Sequence, residues 1–487
     1  MDQIFLASFL SFAAILLTFS LSFFALIRTK KSPDSNYNSL PPGSFGWPII
    51  GETIAFLFGK PEKFVGERMK KYSSDIFKTK ILGEKTAVFC GPNGHKFIFS
   101  NEQKLFTSFR PHPIQKLFRS YQTTKSPHPL PPQTPNGEAK FIRQPGFFKP
   151  EALARFLGKM DSISQQYIHK HLVGKDEIKA YPLAKNVTLT ISCRFFLGID
   201  NPERISRFVD KFDDITLGMH SIIMNIPGTI FYRANKAAAA VRKELVNVIK
   251  EKKMAMKNGA IMQDLLSHLI VATDPTGKSL PENEIADKIM GLIVAGYSTV
   301  ATAIAFVIKY VGERPEIYHR IRAEQMEIAE AKKAGELLEW EDMQKMKYSW
   351  NVICETMRLN PPLQGTFREV LTDFTYAGYT IPKGWKVYWT VSSTNMNPKY
   401  FKDPEKFDPS RYDGIEEGPP LPYTFVPFGG GPRMCPGKEY ARLTILAFLH
   451  NLVKLYKWEV LFPNEKVIGD MMPTPEKGLP IRLLHLL

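Results

Sequence analysis

One segment of the chain combines a single cysteine with residues that can hold it as a thiolate. Residues 425–437 read FVPFGGGPRMCPG, a run too rich in proline and glycine for a helix or a strand, and a helical pattern then runs from Lys438 to Leu455. Glycines allow backbone N–H groups to reach the sulfur of Cys435, and the positive end of the following helix favours its charged form. Arg433 adds a cation for an anionic group lying over the sulfur. A lone thiolate held in this way meets the requirements for binding a haem iron.

The same segment resembles the haem-binding loop of the cytochrome P450 family, whose pattern is F-x-x-G-x-R-x-C-x-G. Phe428, Gly431, Arg433, Cys435 and Gly437 fill its five fixed positions. The resemblance extends over essentially the whole chain and implies the cytochrome P450 fold with haem b as cofactor. It implies that Cys435 is the axial iron ligand, whose electron donation helps to cleave the O–O bond, and that the other residues surround the haem. The alternative is a glycine-rich turn with a buried cysteine.

Two further segments resemble the part of the family that supports this loop. Glu355 and Arg358 lie three residues apart, on one face of a predicted helix, and Arg411 ends the sequence FDPSR. The resemblance implies that the three side chains form a buried network with a structural role, because two arginine forks suit one buried carboxylate. A surface ion pair is the alternative for Glu355 and Arg358.

A long helix, predicted from Pro281 to Val311, contains the sequence AGYSTV at residues 295–300. It resembles the family's dioxygen groove, in which small residues make room and an acid–threonine pair relays protons. Thr299 matches the threonine, whereas Ser298 stands where the acid is expected, so the relay would use Ser298, ordered water or another group. The alternative is that these hydroxyls bond only to their own helix.

Two more arginines resemble family contacts to the haem propionates. Arg368 follows the pair Pro361-Pro362, and Arg143 occupies the arginine position of a W-x-x-x-R pattern whose tryptophan is replaced by Ala139. The prolines that precede Arg143 indicate an interrupted helix, so an exposed arginine is the alternative there.

The elements that must position these residues are predicted to be mainly helical with a minor β part. The predicted helices are Pro145–Lys170, Arg204–Thr216, Ala234–Asn258, Pro281–Val311, Glu316–Ala334 and Asp342–Leu359. The predicted strands are Phe77–Leu82, Thr86–Cys90, Phe374–Ile381 and Trp385–Thr390.

The start of the chain predicts a membrane anchor. No charged residue lies between Ile4 and Ile27, and as a helix this run would extend about 36 Å, enough to cross a hydrocarbon core of roughly 30 Å. The basic residues that follow it predict that the rest of the chain stays on the cytoplasmic side, and a cleaved signal peptide is the alternative. A basic and proline-rich linker, residues 28–48, would then lead into one haem-thiolate catalytic domain, residues 49–487.

Composition narrows the possible partners. The charged fraction of 23% and apolar fraction of 44% exclude global disorder, and the four cysteines lie too far apart for a CxxC zinc site. The net charge of +16 fits nucleic acid, an anionic membrane or an acidic protein. The predicted anchor excludes nucleic acid from this choice and leaves membrane lipid and a protein partner. A basic surface made of Arg433, Lys438 and Arg442 suits an acidic flavoprotein, although a solvated charged face is equally consistent with it.

Longer stretches resemble the branch of the family that oxidises plant triterpenes, of the β-amyrin 28-oxidase type. Examples are GTFRE at residues 365–369 and DFTYAG at residues 373–378. This resemblance implies a single-pass monooxygenase of the endoplasmic-reticulum membrane that inserts oxygen from O2 into a small apolar triterpene, with electrons from NADPH through NADPH–cytochrome P450 reductase. A peroxide-rearranging or dehydrating enzyme of the same fold, which needs no reductase, and a non-catalytic haem-binding membrane protein are the alternatives.

Overall fold

Helices dominate the fold, as predicted. The computed structural model describes residues 39–59, 61–118, 147–261, 264–273, 277, 279–413, 421–469 and 471–486. The helices of these regions are α1 (Thr53–Phe58), α2 (Pro61–Lys71), α3 (Gly91–Ser100), α4 (His112–Leu117), α5 (Pro150–Leu172), α6 (Ala180–Leu197), α7 (Pro202–Met219), α8 (Ile230–Lys257), α9 (Leu265–Val271), α10 (Glu282–Gly312), α11 (Pro315–Glu330), α12 (Trp340–Lys345), α13 (Lys347–Leu359) and α14 (Lys438–Leu455).

The long helix α10 runs through the core. It packs closely against α6, where a Cβ on Gly296 would come within 2.9 Å of the Phe196 ring. At its far end the indole N–H of Trp458 donates a hydrogen bond of 2.8 Å to the Ile308 carbonyl. Within the part of the chain that the structure describes, α10 is the one helix long and apolar enough to cross a membrane, but 72% of its most apolar stretch is buried in the protein. We therefore interpret α10 as a core helix.

A five-stranded sheet forms the main β part, with the strand order β1-β2-β8-β5-β3. The strands of the described regions are β1 (Ile76–Ile81), β2 (Glu84–Phe89), β3 (Phe106–Ser108), β4 (Glu177–Lys179), β5 (Gly365–Val370), β6 (Phe374–Tyr376), β7 (Tyr379–Ile381), β8 (Lys386–Thr390), β9 (Tyr456–Val460), β10 (Val467–Ile468), β11 (Thr474–Pro475) and β12 (Pro480–His485). Strand β8 pairs parallel with β2 and antiparallel with β5, so it joins the N-terminal hairpin to the segment after α13. The last residues of the predicted linker are fixed to this sheet, since the Lys78 N–H donates to the Pro42 carbonyl at 2.8 Å.

Two predicted elements differ from those observed. The helix predicted from Asp342 to Leu359 is two helices, because Met346 between them leaves the helical region at φ −75° and ψ 52°. The strand predicted from Phe374 to Ile381 is the β6–β7 hairpin, which turns where Ala377 and Gly378 both adopt positive φ.

Three predicted features lie outside the described residues. They are the anchor Ile4–Ile27, most of the linker 28–48, and Arg143 with its proline-rich surroundings.

Candidate functional site

The cysteine loop is shaped by contact with the last turn of α3. A Cβ on Gly430 would come within 2.5 Å of the Phe99 ring, and a Cβ on Gly431, at φ +65°, within 2.4 Å of the Phe99 carbonyl oxygen. The Phe99 ring is itself packed edge-on against Trp389, with their centroids 5.1 Å apart. The two glycines are therefore needed because the loop backbone lies directly on a fixed aromatic side chain.

Within the loop, Cys435 is held by backbone hydrogen bonds. Its N–H donates to the Phe428 carbonyl at 2.9 Å, across the short 3-10 turn Gly431–Arg433. The sulfur lies just before α14, which begins at Lys438, so it is close to the positive end of that helix. Cys435 is an exposed cysteine, whereas Cys90, Cys193 and Cys354 are buried.

The ionisation of Cys435 differs in one respect from that of the buried cysteines. Although Cys435 is partly exposed, the protein around its sulfur removes enough solvent to raise the pKa of the thiol, and a hydrogen bond from the Gly437 N–H opposes this rise. Burial raises the pKa of Cys193 to about 12, with no opposing hydrogen bond. Because backbone hydrogen bonds favour a thiolate, the loop is suited to hold a negatively charged sulfur that can bind a metal cation.

Two arginines predicted near the site meet at one buried carboxylate. Arg368 Nε donates a hydrogen bond to Glu102 Oε1, and Arg433 Nε lies 3.3 Å from Glu102 Oε2. The Glu102 side chain is completely buried, and that of Arg368 nearly so. The sequence had suggested both arginines through their resemblance to family motifs, but it had not suggested Glu102. A glutamate in the sequence SNEQK has no neighbouring residues that mark it as part of a site.

The predicted dioxygen groove has one accessible face on α10. Ala295 is exposed and Thr299 half-buried, although most of this helix is buried. The Thr299 hydroxyl donates to the Ala295 carbonyl at 2.8 Å. Ser298 is buried, and its hydroxyl donates to the Val294 carbonyl at 2.8 Å. Thr299 therefore lies on the accessible face, while Ser298 does not share it.

The residues Glu355, Arg358 and Arg411 meet in one network. Arg358 makes two hydrogen bonds to the Glu355 carboxylate, of 2.8 and 2.7 Å, and both side chains are fully buried. Arg411 Nε donates to the same carboxylate at 3.2 Å, and so does the Asp408 N–H at 2.9 Å. Arg358 also donates to the Pro404 carbonyl at 2.7 Å, so the network ties α13 to the segment that leads towards the cysteine loop.

Comparison with known proteins identifies the family. The model of the cytochrome P450 family matches residues 41–480. This chain belongs to the cytochrome P450 family. A β-amyrin 28-monooxygenase of Medicago truncatula is 50% identical over 484 residues, which are 98% of each chain. A β-amyrin 6-β-monooxygenase of Solanum lycopersicum is 47% identical and is covered over 98% of its length, against 96% of this chain. The structure of retinoic acid bound cyanobacterial CYP120A1 is 30% identical, with a TM-score of 0.80 over 92% of this chain and 100% of that one.

Cytochrome P450 enzymes carry a haem whose iron is bound by a cysteine thiolate, and the residues of this site fit that group. Cys435 offers an accessible sulfur with a backbone N–H beside it. Arg368 and Arg433 offer guanidinium groups to the two carboxylates that haem carries. The donor set therefore matches the cofactor in both charge and chemistry.

Proposed function

We propose that this cytochrome P450 is a monooxygenase that inserts oxygen from O2 into a triterpene skeleton such as β-amyrin. The observation that carries the reaction type is the accessible thiol of Cys435 in its backbone hydrogen bonds, next to α14. The substrate class rests on relatives of 47–50% identity that are monooxygenases of β-amyrin. Those relatives oxidise different positions of the skeleton, so the proposal concerns the substrate class and leaves the oxidised carbon open.

In this proposal the Cys435 thiolate would bind the haem iron, Phe428 and Gly431 would shape its loop, and Arg368 and Arg433 would bind the haem propionates. The haem, once bound, supplies the activation of dioxygen. Arg143 would be a further propionate contact, as the resemblance to the family implies.

Thr299 is proposed as the residue that steers a water molecule towards the reacting oxygen, and that water delivers the proton. Its Oγ1 donates to the Ala295 carbonyl, which leaves its lone pairs on the accessible face to accept a hydrogen bond from water. The Ser298 hydroxyl is committed to the Val294 carbonyl within the core, so we expect it to shape α10 rather than to contact that water. Besides Thr299, the second polar group of the proton relay would then be an ordered water molecule.

An apolar substrate is consistent with the accessible face of α10. Ala295 provides hydrocarbon there, and Thr299 provides the hydroxyl. A hydrocarbon skeleton needs few polar anchors, so small and aliphatic residues on one helix face suit it. Pocket shape at the scale of one methylene would decide which carbon faces the iron.

We further propose that residues 4–27 anchor the chain once in the endoplasmic-reticulum membrane, with residues 49–487 as a catalytic domain on the cytoplasmic side. Large apolar side chains are exposed at the end of the proposed linker and just after it: Trp47, Ile49, Ile50, Ile54 and Phe58. Exposed apolar side chains so close together are typical of a surface that contacts a membrane. Membrane lipid would therefore contact both the anchor and the start of the domain.

NADPH–cytochrome P450 reductase is the proposed electron donor. Arg442 donates to the Met343 carbonyl at 3.0 Å, so the start of α14 lies beside the exposed Lys345 and Lys347. Together with Lys438 these cations suit an acidic flavoprotein. Arg433, which the sequence had suggested as part of this surface, lies against Glu102 instead.

Spectroscopy and product analysis test the proposal in sequence. In the reduced, carbon-monoxide-bound state the enzyme should show the thiolate band; Cys435→Ser should abolish it, and Cys354→Ala should keep it. Microsomes that contain the enzyme and a reductase are supplied with NADPH and, one at a time, with a panel of triterpenes. They should convert β-amyrin to an oxygenated product. Conversion that persists without reductase would indicate a peroxide-rearranging or dehydrating enzyme, and a normal spectrum without any product over the panel would contradict the substrate class.

A further inference from the structure

Glu102 joins two parts of the site that are far apart in the sequence. It lies between α3 and β3, while Arg368 belongs to β5 and Arg433 to the 3-10 turn of the cysteine loop. The sequence separation between Glu102 and Arg368 is 266 residues. The carboxylate is therefore a meeting point of the sheet and the loop.

Each carboxylate oxygen of Glu102 faces a different arginine. Oε1 accepts from Arg368 Nε, and Oε2 forms an ion pair of 3.3 Å with Arg433 Nε. Both arginines contact Glu102 through Nε. Arg368 Nη1 is fixed by Thr366 Oγ1 at 2.9 Å and by the Phe367 carbonyl at 2.8 Å.

The charges of this cluster explain why a carboxylate is buried there. Two guanidinium groups side by side repel each other, and a carboxylate between them turns this repulsion into two attractions. The side chain of Glu102 has no exposed surface, so its charge would be costly without such partners. One anion against two cations leaves a single positive charge, which still attracts the carboxylates of haem.

We propose that Glu102 is a positioning residue that holds Arg368 and Arg433 at the spacing at which both bind the haem carboxylates. The inference rests on the proposed roles of the two arginines as haem contacts. Glu102 itself would act on the haem indirectly, through the positions of these two arginines.

The test compares Glu102→Gln with Asp287→Asn in the full-length holoenzyme. Asp287 is also a buried carboxylate, paired with Arg242 at 2.7 Å, but it lies on α10 near its start, away from the cysteine loop. Glutamine keeps the volume of Glu102 but offers one acceptor oxygen, so one arginine loses its partner. Two quantities are measured: the rate of haem transfer to excess apomyoglobin, and the reduction potential of the haem by spectroscopic titration.

Glu102→Gln should lose haem about tenfold faster than the parent enzyme, as expected for one lost charge-assisted hydrogen bond. Its reduction potential should become more positive, because removal of a buried negative charge disfavours the ferric state. Asp287→Asn should leave both quantities unchanged. Unchanged haem transfer and potential in Glu102→Gln would overturn the inference, as would equal changes in both variants.

A double-mutant cycle separates positioning from packing. If Glu102 acts through Arg433, the effects of Glu102→Gln and Arg433→Gln on haem transfer should not add, and additive effects would contradict the inference. Should Glu102→Gln fail to fold, Glu102→Asp takes its place, since it keeps the charge and withdraws it from both arginines. Haem transfer at the parent rate in Glu102→Asp would also overturn the inference.

These outcomes are distinct from failure of the proposed function. Loss of the thiolate band on carbon monoxide binding would contradict the role of Cys435. A normal band with unaltered haem transfer in the Glu102 variants would contradict only the positioning role.

Discussion

Breaking the buried network around Glu355 should lower the free energy of unfolding by several kcal/mol. The carboxylate accepts hydrogen bonds from Arg358 at 2.8 and 2.7 Å, Arg411 at 3.2 Å and the Asp408 N–H at 2.9 Å. Glu355→Gln replaces one acceptor oxygen by an NH2 group and leaves Arg358 as a buried charge without a counterion. Removing one partner of a buried ion pair costs about 3–5 kcal/mol.

The assay is thermal unfolding of the holoenzyme, followed by tryptophan fluorescence. With an unfolding entropy of about 2.1 cal/mol/K per residue, a chain of this size loses about 1 °C per kcal/mol, so Glu355→Gln should melt about 3–5 °C lower. Glu177→Gln is the matched control, because its ion pair with Arg482 is about half exposed and such pairs contribute about 0–1 kcal/mol. A loss below about 1 °C in Glu355→Gln, or equal losses in the two variants, would refute the reasoning.

Three further predictions follow from individual contacts. Gly296→Ala should lower the free energy of unfolding by about 1–3 kcal/mol, because its Cβ would meet a ring at 2.9 Å. Gly66→Ala, with nothing within 4 Å of the added Cβ, should be neutral or stabilising in the same melting assay. Burial lowers the pKa of His450 to about 3, below the value of about 6.5 in the unfolded chain, so its contribution to stability is present above pH 6.5 and is lost as the pH falls from there towards 3. Between pH 7.5 and 5.0 the parent should therefore lose about 2 kcal/mol more than H450Q, and equal losses would contradict this. Thr299→Ala should keep the thiolate band but lower product formed per NADPH consumed roughly a hundredfold, whereas Ser298→Ala should leave this ratio unchanged. Equal losses in the two variants would argue against Thr299 as the residue that steers the water.

Local patterns predicted most of the long elements of the fold. The helix from Lys438 to Leu455 begins and ends where the sequence indicated, because the proline and glycine residues before it exclude regular structure. Helix α6 was not predicted. It is apolar on nearly all sides and carries β-branched residues such as Val187 and Ile191, so it shows no amphipathic period and a weak helix propensity.

The site was predictable where its chemistry depends on residues that are close together in the sequence. Cys435 stood out because glycines, a basic residue and a helix start surround it within a few positions. Glu102 could not be found in this way, since its meaning comes from two arginines brought to it by the sheet and the loop. The burial of Ser298 could not be read from its sequence neighbours either, because the packing of α6 against α10 decides which face of α10 is accessible.

The contact between Phe99 and the cysteine loop sets an order of events during synthesis. Gly430 and Gly431 take their shape from Phe99, which the ribosome adds about 330 residues earlier. At 5–20 residues per second, roughly 20–70 seconds separate the two additions. The contact between Phe99 and the loop therefore cannot form until nearly the whole chain has been made. Until then the Phe99 ring lacks this packing partner. The finished geometry around the Cys435 thiol is for this reason available only late in synthesis or after it.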